Sequence, residues 1–148
     1  MTLTLFIHLI AIGIWAGCVA TEVVCELDQK HVKFKDSYIA SLHFTSLHWS
    51  IDKFVEIPAI VITAITGYLM LNNVVFDPLI TIKVSAGILA VVFNSVASYS
   101  VYQRYRCLLT DNEKGYLKYD LMHERVGVGC VLFILIALIS GGYHFTGY

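Results

Sequence analysis

An all-α fold, an integral membrane four-helix bundle with both termini outside, is predicted by three observations. Hydrophobic residues make up 57% of the 148 residues and charged residues 14%, against about 25% charged in a soluble domain. Four apolar runs are each long enough to cross a bilayer as helix, which takes about 20 residues. Nine of the ten Lys and Arg residues flank one side of those runs. The mean hydropathy of +0.72 agrees. A net charge of −1 gives no reason to expect nucleic acid as a partner. At this length a single domain, residues 1–148, is expected.

The runs cover residues 3–24, 54–71, 79–101 and 126–143. No basic residue precedes the first and no small-x-small cleavage pattern follows it, so it reads as a retained helix rather than a signal peptide. Pro58 lies inside the second run and is expected to kink it by freeing the carbonyl four residues earlier. The mixed segment 36–50 reads as an extension of that helix. Asp77-Pro78 opens the third run as an N-cap with proline at the first helical position. The segment 102–125 reads as a polar loop with a turn near 111–115.

Orientation follows from the basic residues. Lys30, Lys33, Lys35 and Lys53 flank one side of the first two runs, and Arg104, Arg106, Lys114, Lys118 and Arg125 flank the same side of the last two. The short connection 72–77 has none, and Lys83 lies inside the third run. The basic side is therefore expected in the cytoplasm, in a multi-pass protein of the inner membrane. Cys18, Cys25, Cys107 and Cys130 then fall near the reducing side and read as thiols rather than a disulfide framework. Neither C-x-x-C nor C-x-x-C-H occurs.

At 100° per residue, the polar residues within the runs gather on one face of each helix. His8, Trp15, Glu22 and Glu26 share a stripe on the first. On the second the stripe is Tyr38, Ser41, Thr45, His48, Asp52, Glu56, Ala59, Thr63, Gly67 and Met70. The third carries Lys83, Gly87, Ala90, Asn94 and Ser98, and the fourth His123, Gly127, Cys130, Ile134, Ala137, Gly141 and His144. Ionisable groups within a membrane face the bundle interior and mark function. Depth sorts the histidines into an outer pair, His8 with His144, and a cytoplasmic pair, His48 with His123. Imidazole is a common ligand for metals and for haem iron. Glycines on the stripes leave room for a flat macrocycle or for close helix packing. His31 reads as solvated and His43 as facing away. Trp15 reads as packing, against a cofactor or another helix. The acid stripe of Asp52, Glu56 and Glu22 is costly in lipid, and Lys53, Arg104 or Arg125 are its candidate ion-pair partners.

His8, Trp15 and Gly17 give H-x6-W-x-G. Pro58-Ala59, Thr63 and Gly67-Tyr68-Leu69-Met70 follow in the second run, and Leu79-Ile80-Thr81-Ile82-Lys83 opens the third. In that order the chain resembles the superfamily of small four-helix membrane proteins that includes HemJ-type protoporphyrinogen oxidases and CopD-type copper-resistance domains. The resemblance implies haem b, held through His8 and Lys83. It departs at Asn94, where the family has histidine, and at His123-Glu124-Arg125, where it has Asn-Glu-x-Pro. Three functions are therefore expected in competition. The first is a b-type cytochrome with one or two haems, ligated by His8 with His144 and by His48 with His123, Lys83 facing a propionate and Trp15 packing on the group. The second is a protoporphyrinogen oxidase in which Asp52 and Glu56 take protons. The third is a transport module for copper or another metal, with a path of His, Met and Cys. The bilayer, a quinone or redox protein, and a second copy of the chain are the expected partners.

Overall fold

A computed structural model describes residues 3–29, 38–71, 75 and 77–145, without the side chains of 28, 29, 144 and 145. It is all-helical. Helix α1 is Leu3–Gln29 and α2 is Tyr38–Ile51; a π-turn, Asp52–Glu56, joins α2 to α3, Ile57–Leu71; α4 is Pro78–Leu109 and α5 is Glu113–Phe145. Four helical stretches are long and apolar enough to cross a membrane: Leu3–Leu27, Tyr38–Leu71, Pro78–Leu109 and Glu113–Tyr143. The α4 and α5 helices pack along their length, α1 lies on α3 and the π-turn, and α2 lies on α4. One end of the bundle carries Arg104, Arg106, Lys114 and Lys118, and is called the basic end below. The opposite, terminus end is where α1 begins and α5 finishes.

The second run is longer than its apolar core, because α2 extends it back to Tyr38 as the mixed segment suggested. Pro58 acts through the turn before it. Without an N–H it cannot bond the Phe54 carbonyl, and Ile57 donates to Asp52 O, five residues back instead of four. Asp77 caps α4 as expected, its side chain accepting from Ile80 N at 2.7 Å ahead of Pro78. A cap of this kind contributes about 1 kcal/mol.

The polar loop expected over 102–125 is a correction. The α4 helix continues to Leu109 and α5 starts at Glu113. Side-chain pairs one turn apart support the extension: Gln103 with Tyr99, and Arg106 with Tyr102. Only the turn was rightly placed. Asp111 adopts φ 52°, Asn112 N donates to Cys107 O at 2.9 Å and Asp111 N to Leu108 O at 3.3 Å. This is a Schellman ending with aspartate in the left-handed position. The Asn112 side chain then accepts from Gly115 N and caps α5.

The bundle is polar within and apolar without. Leu, Ile and Val side chains of every span are exposed, while His8, His48, Asp52, Glu56, Asn94, Arg104 and His123 are buried. Such a distribution suits apolar surroundings. A tight apolar cluster at mid-height joins Trp15, Val19, Ala59, Ile60, Ala90, Cys130 and Ile134. Beside it Gly129 lets α5 approach α4, since a Cβ there would stand 2.4 Å from the Phe93 ring.

Candidate metal centre

Between the apolar cluster and the basic end, all four spans turn ionisable groups toward one another. Helix α1 brings Glu22 and Glu26, four residues apart and so on one face. The second span brings His48, Asp52 and Glu56 at the same interval, with the π-turn carrying the last two. Helix α4 brings Arg104 and α5 brings His123. Asp52, Glu56 and Arg104 are each 1% exposed, and His48 4%.

His48 is the centre of the group. Its Nε2 stands 3.5 Å from Glu22 Oε1 and 3.7 Å from Asp52 Oδ1, and its Nδ1 stands 3.6 Å from Glu26 Oε1. Glu26 Oε1 also accepts from Arg104 Nη1 at 2.6 Å and lies 3.7 Å from His123 Nε2. Arg104 Nη2 reaches Asp120 Oδ1 at 3.3 Å, and its guanidinium lies over the Tyr116 ring. His123 Nδ1 faces Ala97 O at 3.4 Å.

Among the described residues two trios have the spacing of metal ligands: Glu22, His48 and Asp52, and Glu26, His48 and His123. They differ in how well they are already satisfied. In the second, Glu26 is neutralised by Arg104 at 2.6 Å. In the first, Glu22 Oε1, His48 Nε2 and Asp52 Oδ1 are all buried without a hydrogen-bond partner, as is Glu56 Oε1 alongside. Separations of 3.5 and 3.7 Å are long for a hydrogen bond. They are close to the about 3.4 Å between two donors held tetrahedrally at about 2.1 Å from one ion. With neutral imidazoles and ionised carboxylates, Glu22, Glu26, Asp52 and Glu56 face one guanidinium, which Asp120 also shares, and burial makes that negative excess expensive unless protons or cations join it.

The expected site residues fall into two groups. His48, Asp52, Glu56 and His123 converge. His8, Lys83 and Trp15 lie elsewhere. Trp15 packs in the mid-height cluster and donates Nε1 to Asn94 Oδ1 at 3.0 Å, with Cys130 Sγ 3.1 Å from the same oxygen. At the terminus end His8 Nδ1 pairs with Thr66 Oγ1 at 2.8 Å. The side chain of His144 lies outside the described residues. Glu22, Glu26 and Arg104 belong to the centre although the sequence singled out none of them as a ligand. The signal was there in Glu22 and Glu26 sharing the His8 stripe.

The haem expected between His48 and His123 does not match these positions. Two imidazoles on opposite faces of one iron hold their nitrogens about 4 Å apart with the porphyrin plane between the rings. The His48 and His123 rings instead meet edge to face, centroids 5.2 Å apart, and both address Glu26 Oε1. As folded, this pair does not fit a haem. The glycines expected to open space are partly covered: a Cβ on Gly67 would stand 3.2 Å from His8 Cε1, and one on Gly141 3.3 Å from Lys83 Cε. Two open grooves between spans, of about 400 and 260 Å³, are lined by neither a histidine nor a carboxylate.

In comparisons with protein-family models, with curated proteins and with solved structures, nothing matches this chain.

Proposed function

We propose that this protein is a multi-pass protein of the inner membrane, with both termini outside, that binds a divalent transition-metal cation in the cytoplasmic half of its bundle and serves as a metal transport module. The observation that carries the reading is His48. It is buried, its Nε2 has no hydrogen-bond partner, and that nitrogen faces two similarly unsatisfied carboxylates from two spans. Glu22, His48 and Asp52 are the ligands, with Glu56 in reserve. Glu26 Oε1, itself held by Arg104, lies 3.6 Å from the other nitrogen, placed to steady the ring once an ion is bound. A mixed imidazole and carboxylate set suits Mn, Fe(II), Co or Zn rather than Cu(I), which prefers thioether and thiolate. The basic residues at this end support its placement in the cytoplasm.

Elemental analysis of the detergent-purified protein, loaded with Zn²⁺ or Co²⁺ and desalted, tests the reading. One ion per chain is expected in the wild type and none in His48→Gln. Equal metal content in the two proteins would remove it, leaving His48 as an imidazolium paired with its carboxylates. Uptake of Co²⁺ into proteoliposomes, abolished by the same substitution, is the test of transport.

A second reading, a b-type cytochrome or protoporphyrinogen oxidase, is favoured by one observation: His8 is buried at the terminus end, on the inward face of α1. A Soret band in the same preparation, lost in His8→Ala, is what that reading requires.

A further inference from the structure

The second span does not keep one neighbour along its length. The α2 helix lies on α4, whereas α3 lies on α1, and the π-turn ahead of Pro58 separates the two. Beyond the turn α3 and α4 part, and a groove of about 400 Å³ opens between them. Trp49, Ile57 and Ala64 of the second span face Val91, Ser95 and Tyr102 of α4 across it. Ser95 turns its hydroxyl back to Val91 O at 2.8 Å, so the wall is apolar. One end of the groove meets the mid-height cluster at Ile60 and Val91. The other is framed by Trp49 and Tyr102, ring centroids 5.0 Å apart. From Val91 to Tyr102 the helix rises about 16 Å, roughly half of a hydrocarbon core of about 30 Å. The groove therefore runs from the middle of a bilayer to one headgroup layer, the reach of a single acyl chain. Cations stand at its mouth. Lys53 is one turn from both Trp49 and Ile57 on the same side of the second span. Arg106 is one turn beyond Tyr102 and donates Nη1 to its hydroxyl at 3.2 Å. Both are exposed, and among the described residues neither has a carboxylate within ion-pair distance; Lys53 Nζ has only the Phe54 ring, 5.0 Å away.

From this arrangement we propose that the groove between α3 and α4 is the site of one anionic phospholipid, with an acyl chain along Ile57, Ala64, Val91 and Ser95 and the phosphate between Lys53 and Arg106. Charge complementarity selects this occupant. A zwitterionic lipid carries its own cation to the mouth, whereas an anionic one carries net negative charge to two cations that no carboxylate matches. Tryptophan and tyrosine at the mouth suit the headgroup level, where their rings meet both hydrocarbon and water. In the proposed orientation the mouth faces the cytoplasmic leaflet, the one that holds anionic lipid. The bound chain fills the gap that the π-turn opens, and it lies against the outside of the turn whose inner face carries Asp52 and Glu56. The inference goes beyond the metal centre and needs only that the bundle sits in a membrane.

Quenching of tryptophan fluorescence by brominated lipid tests it. Trp15 and Trp49 are the two tryptophans, so Trp15→Phe leaves Trp49 at the groove mouth as the reporter. The full chain with that change is reconstituted into vesicles of equal parts phosphatidylglycerol and phosphatidylcholine, with bromine on the chains of one lipid or of the other. Brominated phosphatidylglycerol is expected to quench Trp49 more strongly, corresponding to a preference of about tenfold at the site. The preference should weaken as salt is raised. It should fall to near one in Lys53→Gln with Arg106→Gln, two exposed positions whose loss leaves the helical circular dichroism unchanged, and again in Ala64→Phe, which places a ring in the groove. Equal quenching by the two lipids in the parent protein overturns the proposal. So does a preference that survives loss of both cations, which puts the anionic lipid elsewhere, and so does a Trp49 that neither lipid reaches, the mark of a second copy of the chain covering the groove. None of these readouts depends on bound metal, so this inference and the metal reading fail separately.

Discussion

The two ends of the bundle use their buried histidines in opposite ways. At the terminus end His8 is satisfied: Nδ1 pairs with Thr66 Oγ1 at 2.8 Å, and the ring rests where Gly67 gives it room. At the basic end His48 is more deeply buried, 4% exposed against 8%, and has a hydrogen-bond partner on neither nitrogen. Carboxylates from α1 and the second span surround it at 3.5–3.7 Å, within ion-pair range of an imidazolium and close to the spacing of two ligands on one metal ion. A polar group in an apolar interior is either paired by its neighbours or waiting for a ligand. Burial is common to the two histidines; the state of their partners is what separates them.

The sharpest way to break this comparison is to remove ligands at each end. Asp52→Asn is expected to weaken metal binding at least about 100-fold, more than the 10–100-fold typical of residues behind the ligands. His8→Ala should leave metal content unchanged, as equilibrium dialysis with ⁶⁵Zn would show. If the two variants bind alike, the ends do not differ in the way described.

Much of this contrast could be read from the sequence. The stripes brought His48, Asp52, Glu56 and His123 to one depth and one side, and those four do converge. The residues that decide what the cluster is for could not be read in the same way. Arg104 stands among the ion-pair partners expected for Asp52, Glu56 and Glu22 but pairs with Glu26 and Asp120 instead; it lies in a stretch whose polarity suggested a loop, and helix continues there because Tyr99, Tyr102, Gln103 and Arg106 pair along it. Glu26 stood on the right face of α1, but only the fold shows its oxygen accepting from Arg104 and leaving Glu22 unmatched. Ring orientation is likewise absent from helical angles. Equal depth made His48 and His123 look like opposed axial ligands, whereas packing sets them edge to face.

Smaller effects sharpen the boundary between the two ends. Trp15→Phe removes the hydrogen bond to Asn94 at mid-height. It is expected to cost about 1 kcal/mol of stability, read as a lower midpoint in a thermal melt in detergent, with one metal ion per chain retained. Gly67→Ala is the mildest. Its Cβ would meet His8 Cε1 at 3.2 Å, and the ring need shift only a few tenths of an ångström. The expected change in stability is under about 1 kcal/mol, with metal affinity the same as wild type. A large loss of metal in this variant would mean that the two ends are coupled through α3.

The most direct test of the account is X-ray absorption spectroscopy at the zinc edge on the zinc-loaded wild type and on His48→Gln. The expected result is a first shell of nitrogen and oxygen at about 2.0–2.2 Å, with the outer-shell scattering of one imidazole, and no ordered zinc in the variant. A shell with no imidazole contribution, or the same spectrum from both proteins, would contradict a metal centre built on His48.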